Sequence, residues 1–251
     1  VPGVQAGSSI ISIQICVYPL LFHPTLVMEF GYWKIRGLGA VFRMLLEYKQ
    51  AEYTDKQYES GEDWFKGAKP AILEKNALAN LPYLVDGDVC ICQTNSILNY
   101  LGDKFGMNGS DAAAKRLNDQ LLNEIYDVRN AMIDLVYAFK GCTRTQEEYD
   151  EKAAKLVDGP PFAKFEAVLT RQGTDYFCGS EPCTSDFHIF EMLDQHKILS
   201  ERVGRGDALK QFAKCWAFYE RFRALPGLQK YFESPAYTLP INNPIAAAYL
   251  Q

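Results

Sequence analysis

The pattern of hydrophobic and polar positions changes character once along the chain. Up to residue 105, short apolar or alternating runs typical of strands are interspersed with stretches of helical period. The predicted strands are residues 29–35, 53–58, 80–85 and 88–92, and the predicted helices are residues 40–48 and 94–105. Asp86-Gly87 is a strong hairpin signal between the last two strands, and a polar loop with Gly61 and Gly67 follows the second strand.

The remainder of the chain has a helical period throughout. Beyond Gly109 the predicted helices are residues 112–140, 146–157, 161–171, 186–199 and 209–225, with Gly or Pro at most of the breaks. The whole pattern predicts an α/β thioredoxin-like N-terminal domain at residues 28–107 and an all-α C-terminal domain at residues 113–251.

The first 27 residues differ from the rest, because all 26 Lys and Arg and all 31 Asp and Glu lie after them. Their apolar run, residues 10–22, contains polar residues and a proline and is shorter than the ~20 residues of a transmembrane helix. The basic residues of a signal or transit peptide are missing. Met28 is the first methionine, so we interpret residues 1–27 as an N-terminal extension outside the fold. The tail of a truncated targeting sequence is the alternative.

Composition excludes several classes of protein and partner. The chain has 251 residues, 48% of them apolar and 23% charged, which excludes a disordered chain and a disulfide-stabilised miniprotein. A net charge of −5 argues against a nucleic-acid partner. The seven cysteines form no Cys-x-x-Cys motif, and Cys90 and Cys92 lack the further ligands of a metal site. We therefore predict free thiols in a reducing cytoplasm and no metal.

Two features of the first domain suit a thiol-containing, peptide-like ligand. Tyr32 ends the first strand, and its hydroxyl, with an ordinary pKa of about 10, donates a hydrogen bond at neutral pH. Such a donor stabilises a thiolate and lowers the pKa of the thiol. Pro82 suggests a bend or a cis bond that exposes the main chain of Leu81. The structural alternatives are a packed tyrosine and an edge-strand proline.

Two further features suit carboxylates. Gln93-Thr94-Asn95 opens a helix, where free N–H groups and the helix dipole favour an anion, although Thr94 also fits an ordinary N-cap. The loop that begins at Trp64 offers an indole N–H and the ammonium groups of Lys66, Lys69 and Lys75, although it also fits a solvated charged loop. The four features thus point to one type of ligand.

These motifs resemble those of the cytosolic glutathione transferases, most of all the mu class. The resemblance is carried by Gly31-Tyr32-Trp33, Ile35-Arg36-Gly37-Leu38, Leu45-Leu46-Glu47-Tyr48, Asn80-Leu81-Pro82-Tyr83-Leu84, Asp86-Gly87 and Gln93-Thr94-Asn95-Ser96-Ile97-Leu98. It covers nearly all of the chain from Met28 onward. It is weaker in the helical domain, where Phe177-Cys178-Gly179 and Asp186 are the main anchors.

The resemblance implies a role for each matching residue. Tyr32 matches the catalytic tyrosine that stabilises the glutathione thiolate. The residues that match glutathione-binding positions are Trp33, Leu38, Trp64, Lys69, Asn80, Leu81, Gln93 and Thr94. Asp127 matches the acid that reaches across a dimer to the partner's site, and Tyr137 matches a hydroxyl that faces the electrophile.

Within this set the resemblance assigns parts of glutathione. The main chain of Leu81 pairs with the cysteinyl unit, and Gln93 with Thr94 holds the γ-glutamyl end. Trp64 and one nearby lysine, taken as Lys69, hold the glycyl carboxylate.

The function implied is that of a homodimeric, cytoplasmic detoxification enzyme that uses glutathione as co-substrate, with neither nucleic acid nor membrane as partner. It conjugates the thiolate to electrophilic hydrophobic acceptors in a pocket between the domains, lined by Tyr137 and residues 236–250. The alternatives are a non-catalytic binding or structural protein and a glutathione-dependent isomerase. A cysteine-type thiol–disulfide transferase is disfavoured, because no cysteine lies between Met28 and Val89.

The chain also departs from the mu pattern. Thr94 replaces a serine but keeps the hydroxyl, and the segment before the Asn-Leu-Pro motif aligns only with gaps and contains no arginine. Cys183 stands where the family has a helix N-cap serine or threonine, at a cost of ~1 kcal/mol unless it is compensated. Leu78 replaces an aromatic residue of the dimer contact, so the dimer is expected to be held differently or more weakly.

Deleting residues 1–27 should leave solubility and glutathione-conjugating activity unchanged, because the segment lies outside both predicted domains. Soluble yield and conjugation rate are to be compared between the full chain and the shortened one. A large loss of either would show that the segment belongs to the fold.

Overall fold

The computed structural model describes residues 27–137 and 145–244, together with Gly3. Its first part is a four-stranded sheet in the order β2-β1-β3-β4 with helices packed on it. The elements are β1 (Met28–Trp33), α1 (Gly39–Tyr48), β2 (Tyr53–Tyr58), α2 (Lys69–Leu73), β3 (Tyr83–Asp86), β4 (Val89–Cys92) and α3 (Thr94–Phe105). β1 runs parallel to β2 and antiparallel to β3, which forms a hairpin with β4.

Hydrophobic periodicity predicts this part well. β2 and α3 begin and end where expected, and the hairpin turns at Gly87 with φ +59°, a conformation that glycine adopts without steric cost. β1 ends before the predicted limit because the N–H of Ile35 bonds back to the carbonyl of Trp33 in a tight turn. The predicted fold class, an α/β part followed by a helical part, is confirmed.

The prediction of a loop between the second and third strands is wrong. A π-helical turn, Asp63–Ala68, leads directly into α2. Trp64 and Ile72 lie about two helical turns apart, and both are buried against Tyr83 of the sheet. The charged and glycine residues between them hide this apolar stripe in the sequence, and Pro70 does not interrupt the helix because it lies in the first turn of α2.

Helices make up most of the rest of the described chain. They are α4 (Ala112–Asp134), α5 (Gln146–Asp158), α6 (Ala163–Gln172), α7 (Thr184–Arg202), α8 (Ala213–Arg223) and α9 (Gln229–Phe232), with 3-10 turns at Ala208–Gln211 and Pro226–Leu228. The end of the predicted helix 112–140 lies outside the described residues. None of the helices in the described part has the length and apolar character that crossing a bilayer requires.

The prediction of a single helix at residues 209–225 is also wrong. This stretch of chain is divided at Phe212, whose backbone leaves the helical conformation with φ −104° and ψ +83°. This turns the Phe212 ring into the core against Phe162, with 6.0 Å between the ring centroids. The Glu166 carboxylate accepts hydrogen bonds from the N–H groups of Lys214 and Cys215, which the new helix start leaves without partners in α8.

α7 is the buried centre of the helical part and packs against α1, α4, α5 and α8. Cys183 stands at its N-cap, and the N–H of Cys183 donates to Asp186 Oδ2 at 2.7 Å. The second carboxylate oxygen accepts from the N–H of Phe177 at 3.1 Å. Asp186 therefore ties the preceding loop to the helix start and compensates for a cysteine at the cap.

A buried ion group joins the two parts of the molecule. Arg36, in the turn after β1, donates to both carboxylate oxygens of Glu191, at 3.1 and 2.8 Å, and to Asp194 at 2.6 Å. All three side chains are almost completely excluded from water. Tyr219 donates a further bond to Asp194 at 2.7 Å. Losing one member of such a buried pair costs about 3–5 kcal/mol, so this group couples the sheet firmly to α7.

Replacing Asp186 with Asn should change both the stability and its dependence on pH. Burial raises the pKa of Asp186 to about 7, although the backbone hydrogen bonds favour the charged form. The folded state therefore holds this proton over about pH 4–7, where the unfolded carboxyl has lost it, and the contribution of Asp186 to the free energy of unfolding falls as pH rises through that window. The Asn variant should lack this fall. It should also be less stable by about 1–3 kcal/mol at neutral pH, because one backbone N–H loses its acceptor.

Urea unfolding of both proteins across this pH range checks the prediction. The buried His188 and His196, whose pKa values burial lowers to about 3 and about 4, titrate in both proteins and cancel in the difference. Parallel curves for the two proteins would contradict a raised pKa at Asp186.

Candidate active site

Tyr32 lies at the end of β1 and is only 5% exposed. The turn that follows wraps around its ring, since a Cβ on Gly37, at φ +37°, would lie 3.1 Å from the tyrosine hydroxyl. Burial raises the pKa of Tyr32, while the charge of Arg129 and a backbone hydrogen bond from Leu38 oppose that rise. The phenol is therefore protonated at neutral pH and able to donate a hydrogen bond.

Helix α4 lines the other side of this site. Arg129 and Ile133 of α4, and Tyr137 in the turn that follows it, recur every four residues and so face Tyr32 together. The guanidinium of Arg129 lies near the Tyr32 hydroxyl and forms no ion pair with a carboxylate within residues 27–137 and 145–244. Asp127, on the same helix, is exposed on a different face and does not approach Tyr32.

Two spaces meet at Tyr32, and both are bounded by Arg129, Ile133 and Tyr137. The outer cleft is the more open of the two, and its further walls are Trp33, Glu59, Gly61, Phe65, Asn243 and Pro244. The inner pocket runs between α4, α5 and α7, and its further walls include Met132, Val136, Met192, Gln195, Ile198, Leu199 and Ile241.

A C-terminal segment, residues 238–244, crosses both spaces, and we call it the strap. The N–H groups of Arg36 and Gly37 donate to the strap carbonyls of Pro240 and Ile241 at 2.8 and 3.1 Å. The N–H of Asn243 donates to the hydroxyl of Tyr137 at 3.0 Å. The strap thus connects the turn after Tyr32 to the turn that follows α4. Residues 245–250 of the expected lining segment lie outside the described residues.

The turn before β3 carries the next predicted site residues. The Leu81–Pro82 bond is cis, in agreement with the sequence prediction of a bend or a cis bond. The N–H of Leu81 donates to the side-chain Oδ1 of Asn80 at 2.9 Å. A ligand that pairs with this N–H would therefore exchange with the Asn80 side chain.

At the start of α3 the predicted cap is displaced by one residue. Gln93, not Thr94, is the N-cap, because Thr94 already has helical geometry and is buried. Gln93 is exposed and has φ +76°, a conformation unusual for a residue with a side chain and one that often marks a functional site. The side chain of Thr94 lies near the hydroxyl of Tyr126 on α4 and opposes the rise that burial causes in the pKa of Tyr126.

The ring of Trp64 packs against the sheet. It is 1% exposed, and its ring stacks on that of Tyr83, with 5.9 Å between the centroids. Tyr83 in turn donates to Glu29 at 2.7 Å, which is possible because a Cβ on Gly31 would overlap its ring. Lys69 lies further along the same helical segment.

Phe65 is a site residue that sequence reasoning missed. It is 59% exposed, lines the outer cleft and lies 6.5 Å from Trp33 between ring centroids, with the Lys69 ammonium 5.4 Å from its ring. Its signal in the sequence was an aromatic residue directly after Trp64, which must face away from the core once Trp64 is buried. His, Cys, Asp and Glu side chains of the described chain form no group of three that could hold a metal ion.

The fold and site are those of a thioredoxin-like domain joined to a helical domain, with a tyrosine at the interface between them. The family model for "Glutathione S-transferase, N-terminal domain" matches residues 28–103, and that for "Glutathione S-transferase, C-terminal domain" matches residues 126–235. The chain belongs to the glutathione S-transferase family.

Individual relatives agree with this assignment. Glutathione S-transferase Mu 5 of Rattus norvegicus and Mu 3 of Homo sapiens are each 32% identical, covering 87% of this chain and 94% of their own length. The crystal structure of the glutathione S-transferase Blo t 8 is 28% identical and covers 87% of this chain and 98% of its own, with a TM-score of 0.74.

Replacing Trp64 with Phe should lower stability but leave glutathione affinity within about twofold, because its ring is packed against Tyr83 rather than exposed. A loss of about 1–2 kcal/mol in the free energy of unfolding is expected from the smaller ring. Lys69→Met is the comparison, and it should weaken glutathione binding about tenfold without destabilising the fold. Calorimetric titration and urea unfolding measure both effects. A larger affinity loss in Trp64→Phe than in Lys69→Met would show that the indole N–H holds the ligand.

Proposed function

We propose that the protein is a glutathione transferase of the mu class that conjugates the glutathione thiolate to electrophilic hydrophobic acceptors. The observation that carries the proposal is the buried, protonated hydroxyl of Tyr32 at the meeting point of two spaces between the domains. The relatives named for the mu class support the choice of class.

Glutathione is proposed to lie along the edge formed by the turn before β3 and the start of α3. Gln93, exposed and at the positive end of the α3 dipole, holds the γ-glutamyl group with Thr94. The main chain of Leu81 pairs with the cysteinyl unit after the Asn80 side chain releases its N–H. Lys69 holds the glycyl carboxylate, with Trp64 supporting its helix from behind, and Trp33 and Leu38 flank the ligand.

In the proposed reaction the thiol gives its proton to solvent and the Tyr32 hydroxyl donates a hydrogen bond to the resulting thiolate. The sulfur then forms a bond to the electrophilic carbon. At an aryl halide the halide leaves with the electrons of its bond to carbon. The guanidinium of Arg129 beside Tyr32 adds positive charge where the acceptor gains electron density. Tyr137 faces the acceptor and is oriented by its bond to Asn243.

A homodimer is part of the proposal. Leu78, at the position expected for the dimer contact, is 71% exposed, and Leu73 nearby is 45% exposed. Exposed apolar side chains of this size are typical of protein interfaces. Asp127 on the exposed face of α4 is proposed to reach the glutathione site of the partner subunit.

Replacing Tyr32 with Phe should lower kcat about 10- to 100-fold with a general aryl halide, because a hydrogen bond to a charged group contributes about 1.5–3 kcal/mol. Glutathione affinity should change less than about twofold, since the hydroxyl contacts only the sulfur. The pH at which the bound thiol ionises should rise by about one to two units, as measured by thiolate absorbance.

Tyr53→Phe is the matched control, because Tyr53 lies at the opposite end of the neighbouring strand and should leave all three quantities unchanged. Unchanged turnover in Tyr32→Phe would refute the role of this tyrosine. Retention on immobilised glutathione without any conjugation by the wild-type protein would favour the non-catalytic alternative.

A further inference from the structure

The loop before α7 holds two cysteines, Cys178 and Cys183, close together. The main chain beside both of them is bound to one carboxylate. One oxygen of Asp186 accepts a hydrogen bond from the N–H of Phe177, the residue directly before Cys178, at 3.1 Å. The other oxygen accepts from the N–H of Cys183 at 2.7 Å. The two thiol groups accordingly lie near each other, and Cys183 is the neighbour with the largest effect on the pKa of Cys178.

Further main-chain bonds fix this loop at both ends. Tyr176 and Gly179 form an antiparallel bridge, in which the N–H of Tyr176 donates to the carbonyl of Gly179 at 3.0 Å. This bridge closes a tight turn that contains Cys178. At the other end the N–H of Thr184 donates to the carbonyl of Met107 at 3.0 Å. The fold therefore sets the position of each cysteine relative to the other.

A buried hydroxyl lies beside this pair. The side chain of Ser185 is buried, and its Oγ has no hydrogen-bond partner among the residues that the structure describes. It lies near Cys178 and opposes the rise that Cys183 and burial cause in the pKa of that thiol. A hydroxyl without another partner can donate to a thiolate when one forms. Cys178 is partly exposed and Cys183 only 5% exposed, so Cys178 is the thiol that a reagent in solution meets first.

A second pair, Cys90 and Cys92, is closer in sequence but held apart. The two cysteines occupy alternate positions of β4, opposite Val85 and Tyr83 of β3. An extended strand separates alternate side chains by about 6.5 Å, whereas a disulfide needs about 3.5–4.5 Å between its Cβ atoms. The strand would have to distort before these thiols could join, so this pair is an internal comparison for the loop.

We propose that Cys178 and Cys183 form a redox modification site, a dithiol that glutathione disulfide converts into an intrachain disulfide. The Cys178 thiol gives its proton to water, and its sulfur bonds to one sulfur of the oxidant while the bond between the two oxidant sulfurs breaks. One glutathione leaves as a thiolate and takes up a proton. The Cys183 thiol then loses its proton, and its sulfur bonds to that of Cys178 and displaces the second glutathione in the same way. Two protein thiols are oxidised, and one glutathione disulfide is reduced to two glutathione molecules.

The test uses the full chain, reduced and then exposed to glutathione disulfide at mildly alkaline pH, because the raised pKa of Cys178 keeps its thiol protonated at neutral pH. The remaining thiols are blocked with a maleimide in urea, and the protein is digested with trypsin. Peptide 172–197 carries both cysteines, so an internal disulfide leaves it two hydrogens lighter and without maleimide. We expect most of this peptide in that form, and we expect no internal disulfide in peptide 76–104, which carries Cys90 and Cys92.

Cys183→Ser separates the two steps of the reaction. Serine is a good N-cap, so the start of α7 should be kept, and oxidation should stop at the mixed disulfide between Cys178 and glutathione. Cys90→Ser is the matched control and should form the disulfide in peptide 172–197 to the wild-type extent. Circular dichroism establishes that both variants are folded. If Cys183→Ser is not, Cys178→Ser replaces it and should leave Cys183 labelled by maleimide.

Two results would overturn the inference in a folded wild-type protein. Peptide 172–197 would either keep two maleimides or keep glutathione on Cys178 without an internal bond. Equal formation of an internal disulfide in peptide 76–104 would overturn it as well, since the loop would then not select the pair. None of these measurements involves conjugation, so they are independent of the proposed function.

Discussion

The buried ion group of Arg36, Glu191 and Asp194 is the constraint on which the site depends. Burial alone lowers the pKa of Arg36, but the charges of Glu191 and Asp194 outweigh that effect and raise it, so the guanidinium stays charged in the interior. Arg36 belongs to the turn that surrounds Tyr32, and the two acids belong to α7, the centre of the helical part. The geometry of the tyrosine is thus set from both parts of the molecule.

The same turn carries the strap through its main chain. The side chain of Arg36 bonds to Glu191 of α7, and its N–H donates to the carbonyl of Pro240 in the strap. This one residue therefore holds both α7 and the strap, which line the inner pocket. Tyr137 then fixes the far end of the strap through Asn243. One strap and one helical face thus border two spaces that both reach Tyr32.

Much of the fold follows from local patterns, and the exceptions have identifiable causes. β2 and α3 are confirmed because their alternation and helical period are continuous. The segment 63–73 was misjudged because its apolar residues are separated by lysine, glycine and proline, and only packing against Tyr83 shows that Trp64 is buried. The break at Phe212 has no local signal in the sequence. It depends on Glu166 of α6 and on Phe162, the residue just before α6. Phe65 was missed because its exposure at the outer cleft follows from the burial of Trp64 beside it.

The sequence by itself determined the order of elements, the division into an α/β and a helical part, and the family, because these rest on period, turn chemistry and motifs within short segments. The assignments of Tyr32 and of the glutathione-binding residues also came from motifs, and they stay predictions. Only the tertiary structure decided that the Trp64 ring is buried against Tyr83, that Arg129 lies near the Tyr32 hydroxyl, and that the strap borders both the outer cleft and the inner pocket. These features join residues far apart in the chain, and burial and charge pairing between such residues are settled only when the whole chain packs.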